Sequence, residues 1–255
     1  MKKTFLIFIY TFSICFLFGQ SDDQELWTTW YLKPLHGKTK QLEKGLIDHV
    51  KKHHGQGGWP EYYFEILSGP NQGSFAGWSG PHTWKAFDER VRSQADIKHW
   101  NQYVAPYADM SNDKGTSFLI MHKDLKYGPD SAPEYYHLSW NMTYPGTGGQ
   151  YKKIARTSKQ VKESTDSKNY HTIYQVVSGN NPDAWLWEYP INSMEELGMS
   201  TGASGASDIK KVLGEEGAKE FWELYRNTIR SRFREIHKLR SDMSTPVDTS
   251  KTEEN

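Results

Sequence analysis

The sequence predicts an α+β fold in which two tandem β-α-β-β-α-β units close over one another within a single chain. Three observations lead there. First, the chain repeats itself: residues 61–69 read EYYFEILSG and residues 171–179 read HTIYQVVSG, an offset of 110. Phe75 meets Trp185 and Trp84 meets Met194 at that offset, Pro34 and Gly37 meet Pro145 and Gly148 at 111, and MHK at 121–123 meets IHK at 236–238 at 115. The drift fits loops that changed length between elements that kept their order. Second, two long copies are too few and too large for a solenoid. Third, one such unit covers a single sheet face with helices and leaves the other bare. A second copy can cover that face, making a second core or a barrel-like cavity.

Each element follows from a local pattern. Residues 27–33, WTTWYLK, are aromatic and β-branched and read as a strand, which Pro34 and Gly37 break. Over 38–54, Leu42, Leu46 and Val50 recur four apart among Lys, Glu and His, one face of a helix stopped by Gly55, Gly57, Gly58 and Pro60. Residues 62–67 and 74–78 form a hairpin about the turn Ser68-Gly69-Pro70-Asn71. A helical region over 83–107 and a strand over 116–123 complete the split βαβ, or ferredoxin-like, arrangement. After a linker over 124–134 with Pro129 and Pro133, the order repeats as strand 136–144, helix 149–164 and strands 172–177 and 183–189. A Gly/Ser-rich insert over 198–207 interrupts the next helix, which resumes over 208–230. Residues 231–239 have the charge of a continued helix, but their alignment with the strand ending at Lys123 favours a strand. The units span 21–128 and 129–241, and a polar, aperiodic tail over 242–255 is expected to be disordered.

The ends and the composition set the address. Residues 1–20 read as a secretory signal, with Lys2 and Lys3 ahead of an apolar run over 5–18 and a polar run over 21–25 behind it. Cleavage is expected after Gln20, although Phe18-Gly19-Gln20 is a poor cleavage site; the alternatives are a retained anchor and, more weakly, a lipid on Cys15. The expected location is periplasmic or extracellular, off the membrane once the signal is cut. Cys15 is the only cysteine, so the mature chain offers no disulfide, thiol nucleophile or cysteine metal site. Removing Lys2 and Lys3 takes 31 basic residues to 29 against 31 acidic ones, and without a basic excess nucleic acid is not an expected partner. Aromatic residues make up 14% of the chain, with ten tryptophans, all after the signal. Such rings pack cores first and line pockets second.

A strand ending in Pro-x-x-Gly, a helix, then a strand ending in Ser-Gly resembles the dimeric α+β barrel superfamily, and within it NIPSNAP-like and related stress-response domains. Pro34-Leu35-His36-Gly37 with residues 63–69 carry the resemblance in the first copy, and Pro145-Gly146-Thr147-Gly148 with residues 173–179 carry it in the second. It covers nearly all of 27–241. The superfamily includes small quinone-forming monooxygenases, haem-degrading and haem-dependent enzymes, and members with no assigned activity, so the resemblance implies a fold and not a reaction. No catalytic or haem-ligand motif of those enzymes carries over residue by residue.

Ten histidines raise the question of metal. His49 and His53 lie four apart on one helix face with His54 beside them, but no acidic residue completes a His-Glu-x-x-His pattern. Lys51 and Lys52 suggest instead a solvated helix end whose histidines answer the helix dipole, and no metal site is assigned. His122 and His237 fall on matching positions of the last strands, and Glu65 and Gln175 on matching positions of the second strands. Alternation puts Tyr63, Glu65 and Leu67 on one face and Tyr62, Phe64 and Ile66 on the other. If the first set faces the cavity, Glu65 is a carboxylate among rings, with a raised pKa suited to proton transfer. The alternative is a solvent-facing rim or structural hydrogen bonds. Glu65, Gln175, His122 and His237 are therefore the candidate polar groups of the cavity, and no residue is named catalytic. No phosphate loop occurs, because the glycines at 55–58 end a helix rather than open one. Gly202-Ala203-Ser204-Gly205 matches a nucleophile elbow in letters alone, and Asn141-Met142-Thr143 is a glycosylation sequon inside an expected strand.

The first functional reading is a binding or structural protein whose barrel cavity takes a small apolar or aromatic ligand. The second is a cofactor-independent, monooxygenase-like oxidoreductase in which Glu65, His122 or His237 handles protons. The third and weakest is a haem or metal binder. No cofactor is required by the sequence, and a homodimer is allowed.

Overall fold

In a computed structural model the protein is described over residues 24–55, 58–112, 115–130, 132–179, 181, 183–200 and 204–246; the signal at 1–20 lies outside them. The first half runs β1 (Glu25–Leu32), α1 (Thr39–His53), β2 (Tyr62–Ser68), β3 (Phe75–His82), α2 (Trp84–Glu89), α3 (Gln94–Tyr103) and β4 (Ser117–Met121). The second runs β5 (Tyr135–Thr143), α4 (Gly148–Ser164), β6 (Thr172–Ser178), β7 (Ala184–Ile191), α5 (Met194–Ser200), α6 (Ser204–Thr228) and β8 (Ile229–Leu239). The single helical region expected over 83–107 is two helices. Each opens on its own side-chain cap, Thr83 accepting from Ala86 N at 3.1 Å and Ser93 accepting from Asp96 N at 3.1 Å, with exposed Val91 between them. The Gly/Ser insert is helical up to Ser200 and again from Ser204, and α6 bends at Gly214, whose φ of 72° a side chain would oppose.

The strands close into one antiparallel barrel in the order β1-β3-β2-β8-β5-β7-β6-β4. β4 pairs with β1 of its own half and β6 of the other, while β8 pairs with β5 of its own half and β2 of the other. The two units are therefore interlocked, and neither sheet has a free edge. Despite its charge, 229–239 is a strand, because Phe233, Glu235 and His237 alternate inward opposite Trp140, Leu138 and Tyr136.

The barrel interior, where the sequence suggested a ligand cavity, is a packed core of apolar and aromatic side chains among the described residues. Ile66, Trp78, Leu119, Leu138, Trp140, Tyr174, Val176 and Leu186 fill it, with Trp27, Tyr31, Phe64 and Tyr136 packed against them. Trp27, Trp78 and Tyr174 meet edge to face, with centroids 5.6 to 6.4 Å apart. Outside the barrel each half carries a helix layer. Over the first half, α1 and α3 seal Leu32, Leu42, Leu46, Val50, Tyr63 and Phe75 against the sheet. Gly45 permits this contact, since a Cβ there would fall 1.9 Å from the Tyr103 carbonyl oxygen. Over the second half, Ile154, Val161, Ile209, Ala218 and Phe221 join α4 to α6 in a cluster of their own.

Two other expectations change. The linker is packed: Leu125 is fully buried and Tyr127 bridges to His171. The tail is not disordered from Asp242. Met243 enters the first helix layer, Ser244 accepts from Tyr63 N, and Thr245 Oγ1 donates to His54 O at 2.6 Å while accepting from Glu61 N at 2.9 Å. Residues 247–255 lie outside the described residues. Among the described residues no helix is long and apolar enough to cross a membrane.

Candidate functional site

A cavity of about 580 Å³ lies between α4 and α6 and the outer face of β5, β7 and β8. Strand alternation builds its floor: odd-numbered residues of β5 and β7 point outward, presenting His137, Ser139, Asn141, Trp187 and Tyr189, and even-numbered residues of β8 add Arg232 and Arg234. Tyr151 and Lys162 come from α4, and Phe221, Trp222, Tyr225 and Arg226 from α6. Three arginines, Arg226, Arg232 and Arg234, together with Lys162, face one acid, Asp208. Rings and excess positive charge together suit a planar aromatic anion.

His137 is the one histidine of this lining among the described residues, and no protein group hydrogen-bonds its ring there. It is buried, 5.7 Å from the Tyr189 ring. Burial first, then the charges of Arg234 and Arg232, lower its pKa to about 4, so the imidazole is neutral with a lone pair to offer. Lys162 is held by donating to Asn169 O at 2.6 Å and to His171 Nδ1 at 2.8 Å, and burial lowers its pKa to about 7. His171 Nε2 meets the Leu125 carbonyl at 3.0 Å, which fixes the tautomer whose Nδ1 accepts from Lys162. Burial and the Lys162 charge hold His171 down to about 2. Trp187 Nε1 donates to Tyr151 Oη, and Asn141 Nδ2 donates to Ser139 O at 3.0 Å. Asn141 is buried, so the sequon is closed to a glycan.

Of the four residues singled out from sequence, only Gln175 and His122 are brought together, and Glu65 and His237 lie apart from them. Glu65 does not face the barrel interior; Tyr62, Phe64 and Ile66 do. Its side chain is 44% exposed and stands 3.9 Å from Arg240 at the rim of the first helix layer, so it is no carboxylate in an aromatic pocket. Gln175 also points outward, where its Oε1 contacts His122 Nε2 at 3.2 Å and His122 stacks on Trp185. Burial lowers the His122 pKa, with Lys152 adding to the effect.

His122 and His237 are not equivalent. Leu119 and Met121 lie on the interior side of β4, so His122 is turned to the outer face, while His237 opposes Tyr136 inside the barrel. Aligning MHK with IHK is therefore off by one residue, which in a strand exchanges the two faces. His49 and His54 are not at a solvated helix end either, being 0% and 2% exposed.

Sequence reasoning missed His137, Lys162, Arg232 and Arg234, and two acids inside the barrel. Glu235 accepts from Asn71 Nδ2 at 2.7 Å, His237 Nε2 at 3.1 Å and Tyr31 Oη at 3.3 Å. Burial would raise its pKa, but these hydrogen bonds outweigh burial and bring it below the usual range. Glu188 has no such help, and burial pushes it up to about 7 against the pull of Lys126. A usable signal was present in the alternation itself. His137, Ser139 and Asn141 in β5, and Arg232 and Arg234 in β8, place polar residues on the face that a helix layer would ordinarily cover with apolar ones.

No protein-family model matches the chain, and no curated protein matches it. Solved structures do resemble it. A candidate monooxygenase from Fusobacterium nucleatum superposes with a TM-score of 0.55 at 11% identity, over 85% of this chain and 92% of that one. An anthrone oxidase-like protein gives 0.55 at 8% identity, over 86% and 92%. A candidate chlorite dismutase gives 0.53 at 13% identity, over 86% and 96%. At such identities the likeness speaks to fold. This chain has the dimeric α+β barrel fold, with both ferredoxin-like halves supplied in one polypeptide.

Proposed function

We propose that the protein binds a planar aromatic anion in the α4–α6 cavity and, as a cofactor-independent monooxygenase would, removes a proton from it with His137. The observation that carries this reading is a neutral, unpartnered imidazole in a ring-lined cavity, flanked by arginines. Burial first, and then the charges of Arg234 and Arg232, make His137 a weak base while the cavity lacks an anion. A bound phenolate or carboxylate offsets their charge and strengthens the base when substrate is present. The arginines then stabilise the enolate or phenolate that proton removal leaves. An electron-rich ring of this kind reduces dioxygen: a CH2 carbon becomes a carbonyl, one oxygen atom is retained and the other leaves as water.

The names of the similar structures, monooxygenase and anthrone oxidase-like, favour this chemistry. We further read the protein as exported, on its amino-terminal pattern. The narrower likeness to NIPSNAP-like domains, and an origin by duplication, rest on the repeated Pro-x-x-Gly and Ser-Gly motifs.

One observation favours a second reading. The free ring of His137 would offer a nitrogen to haem iron, and Arg226, Arg232 and Arg234 would take the haem carboxylates. Bound haem would supply redox iron, and this chain would hold and orient it. Titration with 1-hydroxy-2-naphthoate and with hemin separates the two. The first reading expects quenching of tryptophan fluorescence by the naphthoate and dioxygen uptake with hydroxylated polycyclic substrates, lost in His137→Gln while binding persists. A Soret band that disappears in His137→Ala selects haem. Failure of the naphthoate to bind, together with no dioxygen uptake, overturns the first reading.

A further inference from the structure

A second cluster of chemistry lies in the other half, where the end of α1 meets the start of β2. His54 Nδ1 meets the Trp59 carbonyl at 2.8 Å and carries a proton there, so the neutral ring presents its lone pair at Nε2. That lone pair faces His49 Nε2 at 3.2 Å and Glu61 Oε1 at 3.6 Å. A single proton on His49 Nε2 can satisfy the contact between the imidazoles, but it leaves an ionised Glu61 with an oxygen turned toward a bare nitrogen. All three side chains are buried, so water does not relieve the conflict. A cation at their centre resolves all of it.

From this geometry we propose that His49, His54 and Glu61 hold one first-row divalent cation, zinc in the first instance. Zinc bound at about 2.0–2.1 Å in a tetrahedron sets its donor atoms roughly 3.3 Å apart, close to the separations found here. The three donor atoms lie within 4.8 Å of one another. Each ligand is also oriented by a further partner, as metal ligands usually are. His54 donates to Trp59 O, His49 Nδ1 lies 3.1 Å from His99 Nδ1, and Glu61 Oε2 accepts from Tyr63 Oη at 2.8 Å.

Asp96, fixed by Arg92 at 3.1 Å, stands 3.4 Å from His49 Nε2 and brings a second negative charge beside the ion. The Thr245 bonds to His54 and Glu61 tie this centre to the docked tail, so the ion would clamp α1, β2 and the carboxy-terminal segment. Histidines 49, 53 and 99 form a rival set on the outer side of the same helix pair.

The test uses the whole mature protein, stripped with a chelator and dialysed. Zinc is titrated in competition with a chromophoric chelator, and cobalt(II) is followed by its visible absorption. One equivalent of zinc is expected, with affinity reduced at least tenfold in His54→Gln and in Glu61→Gln but retained in His53→Ala. Zinc should raise the melting temperature of the wild type and not that of Glu61→Gln. Intense four-coordinate cobalt bands in the wild type serve as a reading independent of the variants, which protects the test if a buried substitution prevents folding. No zinc uptake by folded wild-type protein, a weak six-coordinate cobalt spectrum, or loss of uptake in His53→Ala but not in His54→Gln overturns the proposal.

Discussion

The helix layer over the first half closes directly onto its sheet, whereas the layer over the second stands off and encloses about 580 Å³. The outer face of β1 carries Leu26, Thr28, Trp30 and Leu32, mostly apolar, and Trp30 and Leu32 pack in one cluster with residues of α1 and α3. The corresponding face of β5 carries His137, Ser139 and Asn141, which no helix can cover without leaving polar groups unpaired. The same element order thus yields a sealed layer on one side and a binding cavity on the other. A few alternate positions in two strands decide the difference.

The comparison breaks most visibly at the tight side. Gly45→Leu drives a side chain into the Tyr103 carbonyl and should cost about 3 kcal/mol or more. Gly149→Ala, where a Cβ meets nothing within 4 Å, should stay within about 0.5 kcal/mol. Thermal and urea denaturation measure both, and a tolerated Gly45→Leu would deny the close approach of α1 and α3.

Inside the barrel, Trp78 opposes Tyr62 in one half, and Glu188 opposes Thr172 at the matching place in the other. Burial raises the Glu188 pKa to about 7, so the folded state holds a proton that the unfolded state releases above about 4.5. Its contribution is therefore undiminished at low pH and is lost as pH rises through 7. Glu188→Gln should stabilise the protein by on the order of 3 kcal/mol at pH 8 and change little at pH 4.5. Equal effects at the two pH values in urea unfolding would contradict the burial of this carboxyl.

His171 works in the opposite direction. Its folded pKa of about 2 lies below the unfolded value, so the unfolded state binds the proton first and stability falls as pH drops below about 6.5. His171→Gln should lower stability at pH 7 by removing the bonds to Leu125 and Lys162. It should also flatten the decline between pH 6.5 and pH 5 by about 2 kcal/mol. An unchanged slope would place the acid sensitivity elsewhere, for instance at His49, whose pKa burial also lowers, to about 3.

A small stability effect carries the largest functional one. His137→Leu gives β5 the apolar character of β1 and should shift stability by less than about 1 kcal/mol, because the ring has no hydrogen-bonded partner to strand. Dioxygen uptake should vanish in this variant. Retained uptake would remove His137 from the chemistry.

Much of the fold could be read in advance because strands and helices write their periods locally. EYYFEILSG and HTIYQVVSG became β2 and β6 with their flanking turns, and Leu42, Leu46 and Val50 did face the sheet. β8 was recognised as a strand although its charges argued otherwise. The candidate site was not readable in the same way. Glu65 and Gln175 lie in matching strands, but only closure of the barrel decides which face is interior, and it chose Tyr62, Phe64 and Ile66. His122 and His237 align by letters, and a one-residue register difference sent them to opposite faces.

By itself the sequence determined the alternation of elements, their order in each half and the need for the two bare sheet faces to meet. Hydrophobic periodicity is a property of neighbours along the chain, and the chain states it outright. Tertiary structure alone decided that the barrel would fill with rings and that α6 would stand away from β5, β7 and β8. It also gathered His49, His54 and Glu61 at one point. Those outcomes depend on side-chain volumes and strand register summed over segments far apart in sequence, and no local pattern records such sums.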